Sequence, residues 1–364
     1  MLFPYTYVSH KMEKMQEFID FIFHEVWCTA PVGLDFHPDL FAGCPELQEI
    51  MSLWGFSAKS PERGKRFYRE VKEIYHHFAP LSPSDIDQFR KWYRSNNDIE
   101  RACANDPATH PVRYQDFEGF YPELSAVLAT FFKDLYCQEL RKLVDLQGKI
   151  SNIEEHFDRF MESNTKRKCP FCGFADLKGP DHSTREAYDH FLPKALYPFN
   201  SMNFRNLVPT CHDCNSSYKT SKDPVHDSLG LARRKAFYPF SASPHSIEIQ
   251  VELRSTNVMG LQVEDVELQF GPGNLSEEID TWRDVYGIDE RYKAKYCGEN
   301  DGKYWFVQAT EEWPGGPLSM LENLRQKAKP YGDCNFLKKP FLETCEQAGL
   351  FAPTTTLAAS HSAP

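Results

Sequence analysis

Apolar residues recur at three- and four-residue steps through the first 165 positions, the period of an amphipathic helix and not of a strand. Phe67, Val71, Ile74, Tyr75 and Phe78 fall along one helical face. Ser82-Pro83-Ser84-Asp85 reads as the start of a further helix: Ser82 is the cap, Pro83 takes the first position and Asp85 lies near the positive end, ahead of Ile86, Phe89, Trp92 and Tyr93. A longer stripe, Leu124, Val127, Leu128, Phe131, Leu135 and Leu143, predicts a helix from Pro122 through Leu146 with Gly148 as its stop. Ile153 to Met161 adds a short amphipathic helix, and the basic run Lys166-Arg167-Lys168 follows it.

Farther on the period changes. Ile247, Ile249, Val251 and Leu253 alternate with Glu248, Gln250 and Glu252, and Val258 to Phe270 alternates less cleanly, which predicts a hairpin. Residues 276 to 297 and 319 to 349 return to helical spacing, with Ser319-x-x-Glu322 as a capping box opening a helix that Pro330 ends. The tail from Pro353 to Pro364 is small, polar and proline-containing, a composition that favours disorder. These patterns predict an α+β chain in four parts: a helical region 1–163, a central module 164–240, a mixed hairpin and helical region 241–350, and a tail 351–364. No internal repeat of fixed period is present.

The chemistry gathers in the central module. Two Cys-x-x-Cys pairs, Cys169/Cys172 and Cys211/Cys214, stand 38 residues apart and supply the four sulfurs of a closed tetrahedral zinc site. Four thiolates saturate the ion, so its expected role is structural. Between the pairs lie Tyr188-Asp189-His190-Phe191-Leu192-Pro193 and Asn206-Leu207, and the second pair runs into Asn215. A carboxylate beside an imidazole, with amides downstream, is the raw material of metal-assisted phosphodiester hydrolysis.

Charge sharpens this picture. The formal net charge of −11 argues against a polyanionic partner, yet residues 165–240 hold 12 Lys+Arg against 7 Asp+Glu, a local balance of +5. Lys194, Arg205, Lys219 and Lys222 are candidate phosphate contacts, and Arg233-Arg234-Lys235 with Phe237-Tyr238 form a basic and aromatic cluster. Eleven cysteines without a recognisable secretory leader fit a reducing, cytoplasmic setting, and no apolar run is long enough to span a bilayer, so no membrane association is expected. Without a glycine-rich phosphate loop, any ATP dependence would belong to a separate ATPase or sensor subunit.

Over roughly residues 166–224 the pattern resembles the HNH nuclease family: Cys169/Cys172, Asp189-His190 with Pro193, Asn206-Leu207, Cys211/Cys214-Asn215 and Lys219. The departure is Asn215, where the family name expects histidine. The resemblance implies a ββα-metal fold, His190 as general base, Asp189 and Asn215 as ligands of a catalytic Mg²⁺ or Mn²⁺, and Asn206 as the residue that steadies the loop carrying His190. It implies cleavage of nucleic acid, DNA foremost, leaving a 3′-hydroxyl and a 5′-phosphate. HNH modules with long helical extensions resemble effectors of bacterial anti-phage defence.

Alternation along a regular strand would send Asp189 and His190 to opposite faces, which leaves Asp213 or Asp223 as alternative carboxylates. Two other functions stay open: a zinc-stabilised nucleic-acid or protein binding module without catalysis, and a ribonuclease.

Overall fold

The computed structural model describes residues 1–136, 142–179, 181–243 and 245–351. The chain divides into two compact units, Met1–His245 with Glu277–Tyr286, and Ser246–Ser276 with Gly287–Pro364. The helical region and the cysteine-bearing segment therefore lie in one unit, across the boundary expected near 163. Tail residues 352–364, and the disorder expected of them, lie outside the described residues.

Among the described residues of the first unit, the longer helices that precede the site are α1 (Lys14–Phe21), α2 (Pro45–Phe56), α3 (Glu62–Phe78), α4 (Pro83–Asn97), α5 (Pro122–Leu135), α6 (Val144–Ile150) and α7 (Ile153–Ser163). The expected face of α3 is buried at Phe67, Val71, Ile74, Tyr75 and Phe78. α4 starts as the sequence predicts, with the Ser82 hydroxyl accepting from the Asp85 amide and the Asp85 carboxylate accepting from the Ser82 amide. The helix expected from Pro122 through Leu146 is not continuous: α5 ends at Leu135, residues 137–141 lie outside the described residues, and Leu143 is extended ahead of α6. Gly148 lies inside α6 and does not stop it.

Phe23, Trp27, Phe78, Phe89, Phe117, Phe131 and Phe132 are all essentially without exposed surface. Each such ring is worth about 1.5–3 kcal/mol on burial, and the Trp27 indole N–H is satisfied by the Val71 carbonyl at 3.0 Å. Stability of this unit rests on that aromatic core. Among the described residues its sheet is β1 (Ala187–His190) paired antiparallel with β2 (Leu207–Thr210), too small to stand alone. A late helix, α8 (Ser276–Tyr286), supplies Glu277–Tyr286 to the same unit.

The second unit holds an antiparallel hairpin of β3 (Glu248–Leu253) and β4 (Val266–Gly271), with Glu252 opposite Glu267 and Val251 opposite Leu268. The expected second strand begins late, since Val258–Gly260 and Val263–Asp265 are short helical turns. Its helices are α9 (Ile288–Cys297), α10 (Gly302–Val307), α11 (Gly316–Gln326) and α12 (Asn335–Gln347). The run expected at 276–297 breaks at Gly287, whose φ of 58° suits glycine. Ser319 sits within α11 and does not cap it; the helix opens at Gly315 and ends before Pro330. No helix among the described residues is long and apolar enough to cross a membrane.

Candidate functional site

The four sulfurs of Cys169, Cys172, Cys211 and Cys214 lie within 4.8 Å of one another, all buried. Cys172 and Cys211 approach to 3.9 Å, close to the ~3.8 Å that a tetrahedron with ~2.3 Å zinc–sulfur bonds requires. The first knuckle turns tightly: the Gly173 amide returns to the Cys169 carbonyl at 2.9 Å, and Gly173 has φ of 77°. Burial pushes the Cys169 and Cys214 thiols well above their ordinary value, while the hydrogen bond with Cys169 holds Cys211 below it. Four buried thiols in such proximity are a poor hydrophobic core and a good soft-cation site. The donor set fits zinc.

α8, remote in sequence, braces this knuckle. The Trp282 indole donates to the Phe171 carbonyl at 2.8 Å, and the Tyr286 ring stacks on Phe171 at 4.1 Å. Nothing in the local pattern of 276–286 marks it as a partner of the cysteines, and sequence reasoning missed it.

β1 and β2 pair Asp189 with Val208 and His190 with Leu207, and a wide helical segment, Asp213–Lys219, follows the second knuckle. β1 docks on α7 where the Tyr188 hydroxyl meets His156 Nδ1 at 2.5 Å, burial having pushed His156 down to about 4 and kept it neutral. Asp189 and His190 are both buried but meet different surroundings. Asp189 Oδ1 accepts from Lys219 Nζ at 2.9 Å, and the same ammonium donates to the His190 carbonyl at 2.8 Å. Burial raises the Asp189 pKa, an effect only partly offset by Lys219. Its second oxygen, Oδ2, is buried without a hydrogen-bond partner, an orphaned acceptor that suits a cation.

The His190 imidazole turns the other way. Nε2 lies 3.0 Å from the Ser201 carbonyl, and its ring meets Tyr136 edge to face. A carbonyl only accepts, so the neutral ring carries its proton on Nε2 and its lone pair on Nδ1.

A ladder of asparagines shapes the connection between the strands. Asn206, fully buried, accepts from the Leu192 amide at 2.7 Å and donates to the Leu192 carbonyl at 3.0 Å, two residues past His190. Asn200 donates to the Asn96 carbonyl at 3.1 Å, Asn203 to Asn97 Oδ1 at 3.0 Å, and Asn96 to the Pro198 carbonyl at 2.9 Å. The end of α4 thus holds the loop. Between these anchors Phe199 takes φ of 77°, a strained conformation for a bulky residue, with its ring packed on Phe23, Tyr93 and Phe132. Asn96, Asn97, Asn200 and Asn203 carry no sequence signal beyond polarity.

The basic residues are less available than their spacing suggests. Lys219, expected on phosphate, has no exposed side-chain surface and is the partner of Asp189. Lys222 is exposed but donates to the Asp284 carbonyl at 3.0 Å, Arg234 pairs with Asp284 at 2.7 Å, and Arg233 donates to the Thr109 and Ala102 carbonyls. Lys194 lies over the Tyr136 ring at 4.7 Å, and exposed Arg205 over Tyr7 at 4.4 Å. Much of the local +5 therefore staples the unit internally. Of the alternative carboxylates, Asp213 is exposed, and Asp223 binds the Tyr197 hydroxyl at 2.5 Å and His226 at 3.1 Å. Asn215 is half-buried at the start of the helical segment that ends in Lys219.

Against known proteins, the chain is 36% identical over 96 residues to protein ea31 of Escherichia phage lambda, covering 25% of this chain and 30% of that one. It is 33% identical over 64 residues to the Septu protein PtuB of Bacillus thuringiensis, covering 17% of this chain and 24% of that one. The chain thus spans less than a third of the length of these relatives. No family model matches, and no solved structure matches.

Metal analysis of the purified chain should find about one zinc, retained through mild chelation, and Cys169→Ser or Cys211→Ser should unfold the site; a folded, zinc-free preparation would contradict the assignment. Lys219→Ala should cost about 3–5 kcal/mol in urea unfolding by stranding a buried carboxylate, and Asp189→Asn in the same chain should recover much of it. Equal stability of parent and Lys219→Ala would show that the pair is dispensable.

Proposed function

We propose that this chain is a metal-dependent endonuclease of HNH type that hydrolyses phosphodiester bonds in nucleic acid, DNA foremost. The observation that carries the reading is the His190 ring fixed through Nε2 to the Ser201 carbonyl, which leaves Nδ1 as the basic nitrogen, on a hairpin framed by the four cysteines. In the proposed reaction Nδ1 takes a proton from water, the water oxygen bonds to phosphorus, and the bond to the 3′ oxygen breaks. The 3′ oxygen takes a proton from solvent water and leaves as the 3′-hydroxyl, the phosphate stays on the 5′ side, and the imidazolium returns its proton to solvent. A hard divalent ion, Mg²⁺ or Mn²⁺, on Asp189 and Asn215 would supply neutralisation of charge on the phosphate. The orphaned Asp189 Oδ2 supports that placement. Asn206 holds the backbone at Leu192 and with it the segment that follows the base.

A setting in bacterial anti-phage defence, alongside a separate ATPase or sensor subunit, belongs to the same proposal. The similarity to PtuB over 64 residues supports it. A second reading, a zinc-stabilised binding module without catalysis, is favoured by one observation: Asp189 already has a buried counter-ion in Lys219.

The two separate experimentally. His190→Ala should slow cleavage by roughly two to four orders of magnitude while leaving zinc content and folding intact. Cleavage by that variant at the parental rate would reject His190 as the base. Arg205→Ala with Lys222→Ala should weaken nucleic-acid binding and flatten the plot of log affinity against log salt by ~0.9 per lost duplex contact. Lys219→Ala, whose side chain is internal, should change stability instead. An unchanged slope in the double variant would place the substrate track elsewhere.

A further inference from the structure

We propose that Tyr136, at the end of α5, is a positioning residue for His190, so that the helical region completes the site that the cysteine-framed segment begins. The inference rests on the nuclease reading above for its consequence, though not for its geometry. The Tyr136 and His190 ring centres lie 4.4 Å apart with planes at 78°, an edge-to-face pair whose attraction depends on orientation. The hydrogen bond from Nε2 to the Ser201 carbonyl fixes one corner of the imidazole at 3.0 Å. The imidazole is attached at Cγ and bonded at Nε2, and the edge-to-face contact with Tyr136 adds a directional restraint on the plane of the ring, and so on where Nδ1 points.

The same helix also governs the first contact. Phe132, one turn before Tyr136, is fully buried and packs edge-on against Phe199 at 5.4 Å and 85°. Phe199, at φ of 77°, lies two residues before Ser201, whose carbonyl receives Nε2. α5 therefore reaches His190 by two routes, through Phe132 and Phe199 to the carbonyl and through Tyr136 to the ring. Tyr136 also receives Lys194, four residues beyond His190, at 4.7 Å over its ring, so one side chain orders both a candidate base and a neighbouring cation.

Because the contact with His190 is made between the two rings, Tyr136→Phe should behave as the parent, whereas Tyr136→Leu, or Tyr136→Met if the leucine variant folds poorly, should not. Two measurements on the 364-residue chain decide it. Single-turnover cleavage of plasmid and single-stranded DNA with Mg²⁺ or Mn²⁺ should show kcat about 10- to 100-fold lower for the ring-less variants with KM and Tm near parental, the loss expected of a misplaced reacting group. A long-range ¹H–¹⁵N spectrum of the His190 imidazole, taken at a single alkaline pH and needing no activity, should show the Nε2–H tautomer in the parent and in Tyr136→Phe, and a shifted or mixed pattern without the ring. Parental kcat and an unchanged His190 spectrum in the ring-less variants would overturn the proposal, as would a raised KM with kcat unchanged. If the parent cuts no nucleic acid, the nuclease reading falls, and the spectrum alone still decides whether Tyr136 positions His190.

Discussion

Four buried sulfurs within 4.8 Å of one another tie the start of the candidate site to its end. The 38 residues between Cys172 and Cys211 hold a two-stranded sheet of four residues per strand, which has too little apolar area to fold by itself. Closing that loop with a cation removes much of the chain entropy that would otherwise oppose pairing of β1 with β2. The consequence reaches outward. Phe171, between the first two cysteines, is where Trp282 and Tyr286 of α8 dock, so a helix more than a hundred residues away is anchored on the cysteine knuckle.

Inside that frame the polar groups are fastened to backbone more than to one another. Asn206 takes both backbone groups of Leu192, Lys219 bridges the Asp189 carboxylate and the His190 carbonyl, and Ser201 offers its carbonyl to the His190 ring. Buried polar side chains satisfied in this way specify one loop path, since each alternative path would strand a donor or an acceptor at a cost of about 1–3 kcal/mol. The strained Phe199 persists because aromatic packing on one side and asparagine bonds on the other over-determine it. Phe199 lies two residues before Ser201, whose carbonyl meets His190 Nε2 at 3.0 Å.

Much of this was legible in the sequence where the signal was local. Cysteine spacing announced the sulfur cluster, the 3.6-residue period announced α3, and Ser82-Pro83-Ser84-Asp85 announced the start of α4. What failed was non-local. The apolar stripe runs from Leu124 to Leu143 without a visible break, yet α5 ends at Leu135 and Leu143 is extended ahead of α6. Ser319-x-x-Glu322 has the letters of a capping box, but Gly315 at φ of 87° starts the helix a turn earlier. Lysine at 219 reads as surface charge in any window of sequence; only the fold reveals that Asp189 needs it as a buried counter-ion. The asparagines at 96, 97, 200 and 203 read as polar loop letters, and their pairing across a hundred residues has no sequence signature.

In the proposed mechanism a cysteine-framed hairpin, its histidine fixed by a backbone carbonyl, would perform metal-assisted phosphodiester hydrolysis. Its most direct test is incubation of the zinc-loaded chain with plasmid, single-stranded DNA and RNA, with and without Mg²⁺ or Mn²⁺, followed by analysis of the ends. The expected result is cleavage that requires the added divalent ion, acts on DNA, and leaves 3′-hydroxyl and 5′-phosphate termini. A folded, zinc-loaded chain that binds these substrates yet leaves every one intact at all divalent-ion concentrations would contradict it.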